Sequence, residues 1–498
     1  MVAPLPHASA STVPPLVPNW IGGVATPAAA GESIEKFAPA TGELLWRTAR
    51  SRASDVGAAV QAAKAAQAAW AATPPVKRGE VLFEIAFALR ASRDEVAQVV
   101  AEETGKSPRD ARGETDAAIA LGMFMAGEGQ RLYGRTTTSG VVNRVAMTVR
   151  CPVGVAGLIV AANTPIANVA WKVFPALICG NGVVLKAAED TPATAWLFGR
   201  IAHAAGLPPG ILNIVQGLGV EAGAPIVEHP DVGVLSFTGS TAVGRWIAET
   251  AGRRLAKVSL ELGGKNAFVV CDDADLDRAV HWAVLSAFSN AGQRCASGSR
   301  IVVVDRVYDQ FRARLLAATQ NLRVGSSDAD DFGPVINERH LLAMLAAVQR
   351  ARSAGAHILF GGERLSGAQH RRGYHLAPTL VENVQANDEI STAELFGPIA
   401  NLYRVADFEA ALALANDSQY GLTACIHTSD VTRALEFTKR VQTGVAVVNG
   451  GTFGSEPHMP FGGTKQSGNG SREPGTEALD IYSDLRNVYF NSYPRTAS

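Results

Sequence analysis

The spacing of hydrophobic and polar positions changes several times along the chain. Ala-rich positions over 54–70 follow a Ser-Asp start and end at two prolines, which predicts a helix, and helical patterns continue through 78–104. A Ser-Pro pair is typical of a helix start, so a further helix is expected over 107–127. Residues 131–150 alternate instead and are rich in Thr and Val, which predicts strands paired as a hairpin.

After Pro152, short apolar runs alternate with helical stretches. The predicted strands are 153–161, 183–186, 211–215, 232–237, 258–261, 267–271 and 300–304. The predicted helices between them are 165–179, 192–205, 241–252 and 275–289, and further elements continue to about residue 450. Strands separated by helices of this length imply right-handed crossovers and parallel sheets. The predicted fold class is therefore α/β, with two α/β domains and a small strand element.

Composition excludes several classes of protein. The 498 residues include 45 Lys and Arg against 46 Asp and Glu, and 47% are hydrophobic. Intrinsic disorder is excluded because it needs low hydrophobicity or high net charge. A nucleic-acid partner is not expected because the chain lacks a basic excess. No membrane partner is expected either, because no apolar run reaches the length of about 20 residues that a spanning helix needs.

Cysteine usage and the N-terminus bear on the cellular compartment. The five cysteines are odd in number and form no CxxC pair, so neither a disulfide framework nor a metal site is predicted. The segment before Asn19 contains five prolines and no Lys or Arg, so it is expected to be a loose arm and not a secretory signal. A reducing, cytoplasmic location follows from these two features.

A glycine-bearing turn suggests a nucleotide site. Phe237, Thr238, Gly239, Ser240 and Gly244 lie where a predicted strand ends and a helix begins. Glycines there let the backbone approach a pyrophosphate, and the helix N-terminus favours negative charge. Alone the pattern is weak, because a plain strand–helix turn explains it equally well.

Three further side chains suggest covalent chemistry. Cys295 lies in a Gly/Ser-rich loop after a helix, Glu261 ends a strand before a double glycine, and Asn163 ends the first strand of the sheet. Together they supply a nucleophile, a base and an amide donor. A free thiol is only a few per cent thiolate at neutral pH and needs activation by a base or a positive field. Taken one at a time, Cys295 is more simply explained as a buried structural residue and Glu261 as a solvated one.

Eight motifs follow one another along the chain. They are Asn163-Thr164-Pro165, Trp171-Lys172, Lys186-Ala187-Ala188-Glu189, Phe237-Thr238-Gly239-Ser240, Glu261-Leu262-Gly263-Gly264-Lys265, Gly292-Gln293-Arg294-Cys295, Glu394-Leu395-Phe396-Gly397-Pro398 and Pro460-Phe461-Gly462-Gly463-Thr464-Lys465. Taken together and in this order, they resemble the NAD(P)-dependent aldehyde dehydrogenase superfamily over roughly residues 19–490.

The resemblance implies a domain plan. A Rossmann-like parallel-sheet domain for NAD(P) would comprise residues 1–130 and 151–262, and a second α/β domain, the catalytic one, residues 263–464. A small β element of residues 131–150 and 480–498 would form the oligomer contacts. The family forms homodimers or homotetramers, so one of these states is expected.

The resemblance also implies a reaction. Cys295 would attack an aldehyde to give a thiohemiacetal, with the oxyanion held by the Asn163 amide and the Cys295 backbone N–H. After hydride transfer to the nicotinamide, Glu261 would activate the water that hydrolyses the thioester, and Lys172 would assist proton movement.

Cofactor contacts follow from the same comparison. Glu394 would hold the ribose beside the nicotinamide, with Phe396 packed nearby, and Lys186 and Glu189 would meet the adenosine ribose. The remaining cofactor-binding candidates are Phe237, Thr238, Gly239, Ser240, Gly244, Leu262 and Gly263. NAD is expected, because Glu189 would repel a 2′-phosphate, while NADP is the alternative, because Lys186 would attract one.

The substrate candidates are more polar than an aromatic tunnel. They are Thr164, Asn168, Trp171, Ser289, Arg294 and Phe453. The chain departs from the family at Ala162 and Thr164, where aromatic residues are common, and in a tail motif over 467–473 that is one residue longer. A polar or carboxylate-bearing aldehyde, such as a semialdehyde or hydroxyaldehyde, is expected, unless Arg294 points away into the structure.

Three rival functions remain open at this stage. A coenzyme-A-acylating relative would pass the thioester to a thiol, but such enzymes generally lack the glutamate that Glu261 supplies. A hydrolase or acyltransferase would use Cys295 without a redox step, which leaves the cofactor motifs unexplained. A non-catalytic binding role leaves the complete set of catalytic residues unexplained.

Overall fold

Two seven-stranded sheets organise the chain. The computed structural model describes residues 13–493. The described strands, β1 to β22 in chain order, are Leu16–Val17, Asn19–Ile21, Val24–Thr26, Ser33–Phe37, Leu44–Ala49, Thr136–Thr137, Arg144–Pro152, Val155–Ile159, Gly182–Lys186, Leu212–Val215, Val232–Thr238, Lys257–Glu261, Ala267–Val270, Arg300–Val304, His357–Phe360, Thr379–Glu382, Ile399–Val405, Tyr420–Gly421, Thr423–His427, Val445–Val448, Thr464–Lys465 and Ser483–Asn491.

Fifteen α-helices are described in the same range. They are, as α1 to α15, Ala53–Ala72, Pro75–Ala91, Arg93–Thr104, Pro108–Gly127, Pro165–Ile178, Pro192–Ala204, Ala224–Glu228, Thr241–Gly252, Leu276–Phe288, Asp305–Gln320, Glu338–Ser353, Glu389–Thr392, Phe408–Asn416, Val431–Arg440 and Ala478–Tyr482.

The first sheet has the order β12-β11-β8-β9-β10-β2-β3. Strands β12 to β10 are parallel, and β2 and β3 extend them in antiparallel fashion. Helices cover both faces: Val183 and Leu185 of β9 belong to the apolar cluster that includes α5 and α6, whereas Val184 belongs to the cluster that includes α1 and α8. Burial on both faces explains why the strands read as unbroken apolar runs.

The second sheet has the order β15-β16-β17-β14-β13-β19-β20, in which only β15 is antiparallel to its neighbour. The prediction of an α/β fold with parallel sheets is confirmed. The strands and helices predicted after Pro152 end within two residues of the observed ones. Helix α4 also begins as predicted, since Ser107 Oγ accepts the backbone N–H of Asp110 at 3.1 Å.

A three-stranded sheet, β22-β7-β6, pairs the last described strand with the segment just before β8. The predicted hairpin is present as β6 and β7, and β22 pairs antiparallel along the whole of β7. Residues 494–498 of the predicted oligomerisation element, and residues 1–12 of the predicted cofactor domain, lie outside the described residues. The domain boundaries stay a prediction.

The prediction of a loose N-terminal arm is wrong for its described part. Leu16–Val17 pairs with β5, and Val13 and Val17 are buried. Asn19 Oδ1 accepts from Ser51 Oγ and from the backbone N–H of Gln216, both at 2.8 Å. An edge strand tolerates proline, because one side of the strand has no neighbour that needs its N–H groups. A Pro-rich segment can therefore add to the edge of a sheet. Strands β1 to β5, two to six residues each, are too short to give a recognisable pattern.

Within residues 13–493, no helix has both the length and the apolar character needed to cross a membrane.

Candidate active site

Cys295 lies on the loop that connects α9 to β14. The loop turns sharply, because Asn290, Ala291 and Gly292 all have left-handed backbone, with φ of 55°, 54° and 65°. A Cβ on Gly292 would lie 2.1 Å from the carbonyl oxygen of Gly397, so the close approach requires glycine there.

The double glycine after Glu261 lets this loop meet the first sheet. A Cβ on Gly264 would lie 2.5 Å from the Cys295 carbonyl oxygen. Asn266 Nδ2 donates to that same oxygen at 2.7 Å and to the Ser297 carbonyl at 2.8 Å. These contacts place the thiol loop against the end of β12.

Asn163 lies beside the same loop. Its Nδ2 donates to the Gln293 carbonyl at 3.0 Å, and Asn290 Nδ2 donates to the carbonyls of Asn163 and Gln293, both at 3.2 Å. An amide carries two N–H donors, and no other described residue accepts from Asn163 Nδ2. One N–H is therefore available near Cys295.

Glu261 is a buried carboxyl with unusual surroundings. Neither of its oxygens has a hydrogen-bond partner among residues 13–493. Burial and the nearby Glu473 raise the pKa of Glu261 well above its ordinary value, although the positive charges of Lys172 and Arg472 act in the opposite direction. An unpartnered carboxyl of this kind can take up and release a proton.

The thiol of Cys295 is held in its neutral form. Burial, followed by the negative charges of Glu394 and Glu261, raises the pKa of Cys295 to about 12, against a smaller opposing effect of Arg294. The same charges place both carboxyls within electrostatic reach of the sulfur. Formation of the thiolate therefore requires a proton acceptor at the moment of reaction.

Lys172 belongs to a buried polar network. Its Nζ donates to Ser236 Oγ at 2.7 Å and to Glu473 Oε2 at 2.8 Å. Glu473 Oε1 accepts from Ser236 Oγ and from the Tyr482 hydroxyl, both at 2.8 Å. Sequence reasoning assigned no role to Glu473, although its tail motif was noticed, because Lys172 and Glu473 are 301 residues apart.

The strand–helix turn of the first sheet is tightly built. Ser240 Oγ accepts the N–H of Val243 at the start of α8. A Cβ on Gly239 would lie 2.4 Å from the Phe237 ring, and one on Gly244 would lie 2.5 Å from the Leu262 side chain. Thr238 is the last residue of β11. The turn presents backbone at a helix N-terminus with little side-chain bulk, which fits the pyrophosphate of a dinucleotide.

Two carboxylates flank this turn at the ends of β9 and β12. Lys186 Nζ lies 2.6 Å from Glu189 Oε2, and although burial alone would raise the pKa of Glu189, the charge and hydrogen bond of Lys186 lower it. Glu394 Oε1 accepts the N–H of Gly264 at 3.0 Å, and a Cβ on Gly263 would lie 2.0 Å from its Oε2. Both carboxylates are suited to accept hydrogen bonds from ribose hydroxyls.

Glu394 and its neighbours form a strained, buried corner. Burial raises the pKa of Glu394 to about 7, and burial with the nearby Arg300 lowers the pKa of Lys265 to about 7. Phe396 has left-handed backbone, with φ of 56°. Such strain is common where a ligand is held.

Two of the predicted substrate residues pack together with the thiol. Trp171, Cys295 and Phe453 pack against one small apolar cluster of Ala296, Leu422 and Phe461, and the Trp171 and Phe461 rings meet edge-on with centroids 5.5 Å apart. Ser289, at the end of α9, donates its hydroxyl to the Leu285 carbonyl at 2.6 Å. That bond leaves the hydroxyl proton unavailable to a substrate.

Polar side chains border the apolar cluster. Asn168 Nδ2 donates to the Thr164 carbonyl and hydroxyl, both at 3.0 Å. The Arg294 guanidinium lies 4.9 Å from the centre of the Phe453 ring, so Arg294 points towards the cluster and not away from it. Arg294 makes no hydrogen bond or ion pair with any residue of 13–493, and its Nε is buried.

This combination of fold and site is that of a cofactor-dependent oxidoreductase. The model of the aldehyde dehydrogenase family matches residues 26–488. The chain is 36% identical over 474 residues to alpha-ketoglutaric semialdehyde dehydrogenase of Bacillus subtilis, covering 95% of this chain and 97% of that one. It is 37% identical to alpha-ketoglutarate semialdehyde dehydrogenase of Haloferax volcanii, covering 95% and 98%.

Solved structures agree with these matches. HpcC from Thermus thermophilus superposes with a TM-score of 0.92 at 35% identity, covering 97% of this chain and 94% of that one. Betaine aldehyde dehydrogenase from Staphylococcus aureus, solved with NAD+, gives a TM-score of 0.93 at 29% identity, covering 96% and 95%. The chain therefore belongs to the aldehyde dehydrogenase family. The predicted enzyme class, an NAD(P)-dependent aldehyde dehydrogenase, is confirmed.

The buried ion pair between Lys172 and Glu473 yields a stability prediction. Glu473→Gln leaves Lys172 buried without a carboxylate, and breaking such a pair costs about 3–5 kcal/mol. A lower midpoint of urea denaturation is expected. The matched control is Glu80→Gln, which breaks the exposed pair of Lys77 and Glu80 at 2.8 Å and is expected to shift the midpoint little. Equal shifts in the two variants would contradict the prediction.

Proposed function

We propose that this enzyme oxidises an aldehyde to its carboxylate through a covalent intermediate on Cys295, with water as the final acceptor. The observation that carries the proposal is the buried Glu261 carboxyl, unpartnered at both oxygens and within electrostatic reach of the thiol. A coenzyme-A-acylating enzyme would have no use for such a base.

The first step forms a carbon–sulfur bond. Cys295 attacks the carbonyl carbon while Glu261 takes the thiol proton, which a thiol with a pKa of about 12 does not release unaided. The carbonyl oxygen becomes negative and accepts from the free Asn163 N–H and the Cys295 backbone N–H. In well-studied enzymes, loss of one such donor costs roughly 3–4 kcal/mol of transition-state stabilisation.

When bound, the nicotinamide of NAD supplies the hydride acceptor that turns the thiohemiacetal into a thioester. Gly239, Ser240 and Gly244 would hold the pyrophosphate. Glu394 and Phe396 would lie at the nicotinamide ribose, and Lys186 and Glu189 at the adenosine ribose. The residues that would line the rest of the cofactor site are Phe237, Thr238, Leu262 and Gly263. NAD is favoured over NADP, because Glu189 keeps its negative charge and Lys186 is already paired with it at 2.6 Å.

The last step is hydrolysis. Glu261 first passes the thiol proton on to solvent and then removes a proton from water, whose oxygen attacks the thioester carbon. The carbon–sulfur bond breaks, the proton on Glu261 restores the Cys295 thiol, and the product loses its own proton to solvent and leaves as the carboxylate. Burial keeps the basicity of Glu261 high enough for this work. Lys172, paired with Glu473, would assist the movement of protons to and from Glu261 without contacting the substrate.

A carboxylate-bearing aldehyde is the substrate class that we favour. Arg294, next to the nucleophile, has no hydrogen-bond or ion-pair partner among the described residues, and its planar donors match a carboxylate. The Bacillus and Haloferax relatives are named for a semialdehyde, which supports the same class.

An oligomer and a reducing compartment complete the proposal. All five cysteines are free thiols, which favours the cytoplasm. The sheet of β22, β7 and β6 exposes large apolar side chains on both of its faces: Val145 and Phe490 on one, and Leu485 and Tyr489 on the other. Because exposed apolar area of this kind is commonly covered by a partner, we infer that this sheet, the predicted oligomerisation element, contacts another subunit in a homodimer or homotetramer.

The first prediction concerns the two roles of Glu261. Glu261→Gln should turn over about 10²- to 10⁴-fold more slowly than wild type, because the carboxyl that deprotonates both the thiol and the hydrolytic water is lost. Absorbance at 340 nm should show slow NADH formation from the first turnover, without a burst. Cys295→Ala should form no NADH. Steady turnover of Glu261→Gln at the wild-type rate, or acceleration of wild type by coenzyme A, would contradict the mechanism.

The second concerns pH and cofactor affinity. Below pH 7 the Glu394 carboxyl gains a proton and becomes a poorer acceptor for a ribose hydroxyl, so the Kd for NAD should fall as pH rises through about 7. Calorimetric titration measures this Kd directly. Glu394→Gln should bind more weakly and without this pH dependence. Lys265 titrates in the same range, so Lys265→Met tests whether any residual dependence belongs to that amine.

The third concerns the substrate. Arg294→Leu should raise KM for 4-oxobutanoate by about 10- to 150-fold, the equivalent of about 1.5–3 kcal/mol for a hydrogen bond to a charged group. KM for butanal, which has the same length and no carboxylate, should change little and serves as the control. An equal effect on both aldehydes would show that Arg294 is structural, and faster wild-type turnover of long unsubstituted aldehydes would refute the substrate class.

The fourth concerns assembly. Light scattering should report a dimer or tetramer for wild type and a smaller species for Phe490→Asp, because a charge in an apolar interface is costly. Leu342→Asp, at a similarly exposed apolar side chain on α11, is the matched control and should leave the mass unchanged. A monomeric wild type would refute the proposal.

A further inference from the structure

A buried ion pair lies beneath the backbone of Asn163, outside the groups that touch substrate or cofactor. Lys106 Nζ is 2.6 Å from Glu114 Oε2, and each side chain is only 6% exposed. The two residues flank the start of α4. Two charges are rarely buried together unless further hydrogen bonds compensate for the lost water, so their other contacts show what the pair holds.

Both members of the pair hydrogen-bond to the backbone of the same short segment, residues 163–167. Lys106 Nζ donates to the Asn163 carbonyl at 3.0 Å. Glu114 Oε1 accepts the backbone N–H groups of Ile166 at 3.0 Å and Ala167 at 3.3 Å. The pair therefore spans the junction between the end of β8 and the start of α5.

This junction lacks a cap of its own. Thr164 occupies the N-cap position of α5 with φ of −139° and ψ of 71°, and its side chain makes no capping bond. The first amides of a helix need acceptors, and here Glu114 supplies one from another helix. The Asn163 carbonyl accepts from Asn290 as well, at 3.2 Å on the side of the thiol loop. Asn163 is thus fixed between the ion pair and the nucleophile loop.

We propose that Lys106 and Glu114 are positioning residues that orient the Asn163 amide towards the oxyanion. The inference rests on the proposed role of Asn163. An oxyanion donor works only over a narrow range of distance, and a misplacement of about 1 Å costs on the order of 10²-fold in rate. The ion pair acts on the backbone that carries the amide, and under this proposal its effect on kcat passes through Asn163.

A double-mutant cycle tests this statement. Glu114→Gln keeps the shape and an acceptor oxygen for the two amides but removes the charge that holds Lys106. It should lower kcat by about 10- to 100-fold while leaving the rate of Cys295 alkylation by iodoacetamide and the Kd for NAD unchanged. In the Asn163→Ala background the same change should have no further effect on kcat. Butanal is the substrate, so that no effect through Arg294 on a substrate carboxylate enters.

The chain offers a matched control for the cycle. Glu103 is also buried and accepts the first amides of a helix, Ala193 N–H at 2.8 Å and Thr194 N–H at 2.9 Å, but in α6, and it makes no hydrogen bond to Asn163 or α5. Any loss of kcat in Glu103→Gln should multiply with that of Asn163→Ala. The thermal midpoint of each variant is recorded beside its kcat.

The outcomes separate the two proposals. If the Glu114→Gln and Asn163→Ala losses multiply, the ion pair only stabilises the fold and the inference is overturned. If Asn163→Ala leaves kcat unchanged, the proposed oxyanion role fails instead. Should Glu114→Gln not fold, Lys106→Met provides the same cycle, because it removes the donor to the Asn163 carbonyl and leaves the Glu114 contacts with α5 in place.

Discussion

The approach of the thiol loop to the end of β12 is the constraint on which the rest of the site depends. Gly264 leaves no room for a Cβ against the Cys295 carbonyl, and Asn266 ties that carbonyl to the Ser297 carbonyl. Any side chain at Gly264 would push the loop of Cys295 away from the end of β12, where Glu261 lies. The chemistry depends on this packed contact, which both sheets contribute to building.

Burial is the means by which the site sets its proton affinities. Glu261 is buried, Glu394 and Cys295 are half-buried, and loss of surrounding water is the largest cause of the raised pKa of each. A carboxyl in water would be too weak a base to deprotonate a thiol or a water molecule. At Glu261 the nearby Glu473 adds to this effect, and its partner Lys172 opposes it more weakly. The basic carboxyl of Glu261 therefore results from burial together with a neighbouring negative charge.

Sequence reasoning succeeded where the signal is local. Parallel strands buried on both faces are continuous apolar runs, and helix starts such as Ser107 carry their own capping chemistry, so element type and position followed from pattern alone. It failed at the N-terminus, where prolines suggested a loose arm and Leu16–Val17 pairs with β5. Pairing of a two-residue strand depends on a distant partner, and no window of sequence contains that partner.

The sequence by itself determined the fold class and, through motifs kept in one order, the family. Only the tertiary structure decided how the groups meet. Glu473 pairs with Lys172 across 301 residues of sequence. The Ser289 hydroxyl donates to the Leu285 carbonyl in α9, and the Arg294 guanidinium lies over the Phe453 ring. A side chain's direction, its burial and hence its pKa depend on neighbours that folding brings from elsewhere in the chain, so they are properties of the packed molecule and not of the motif.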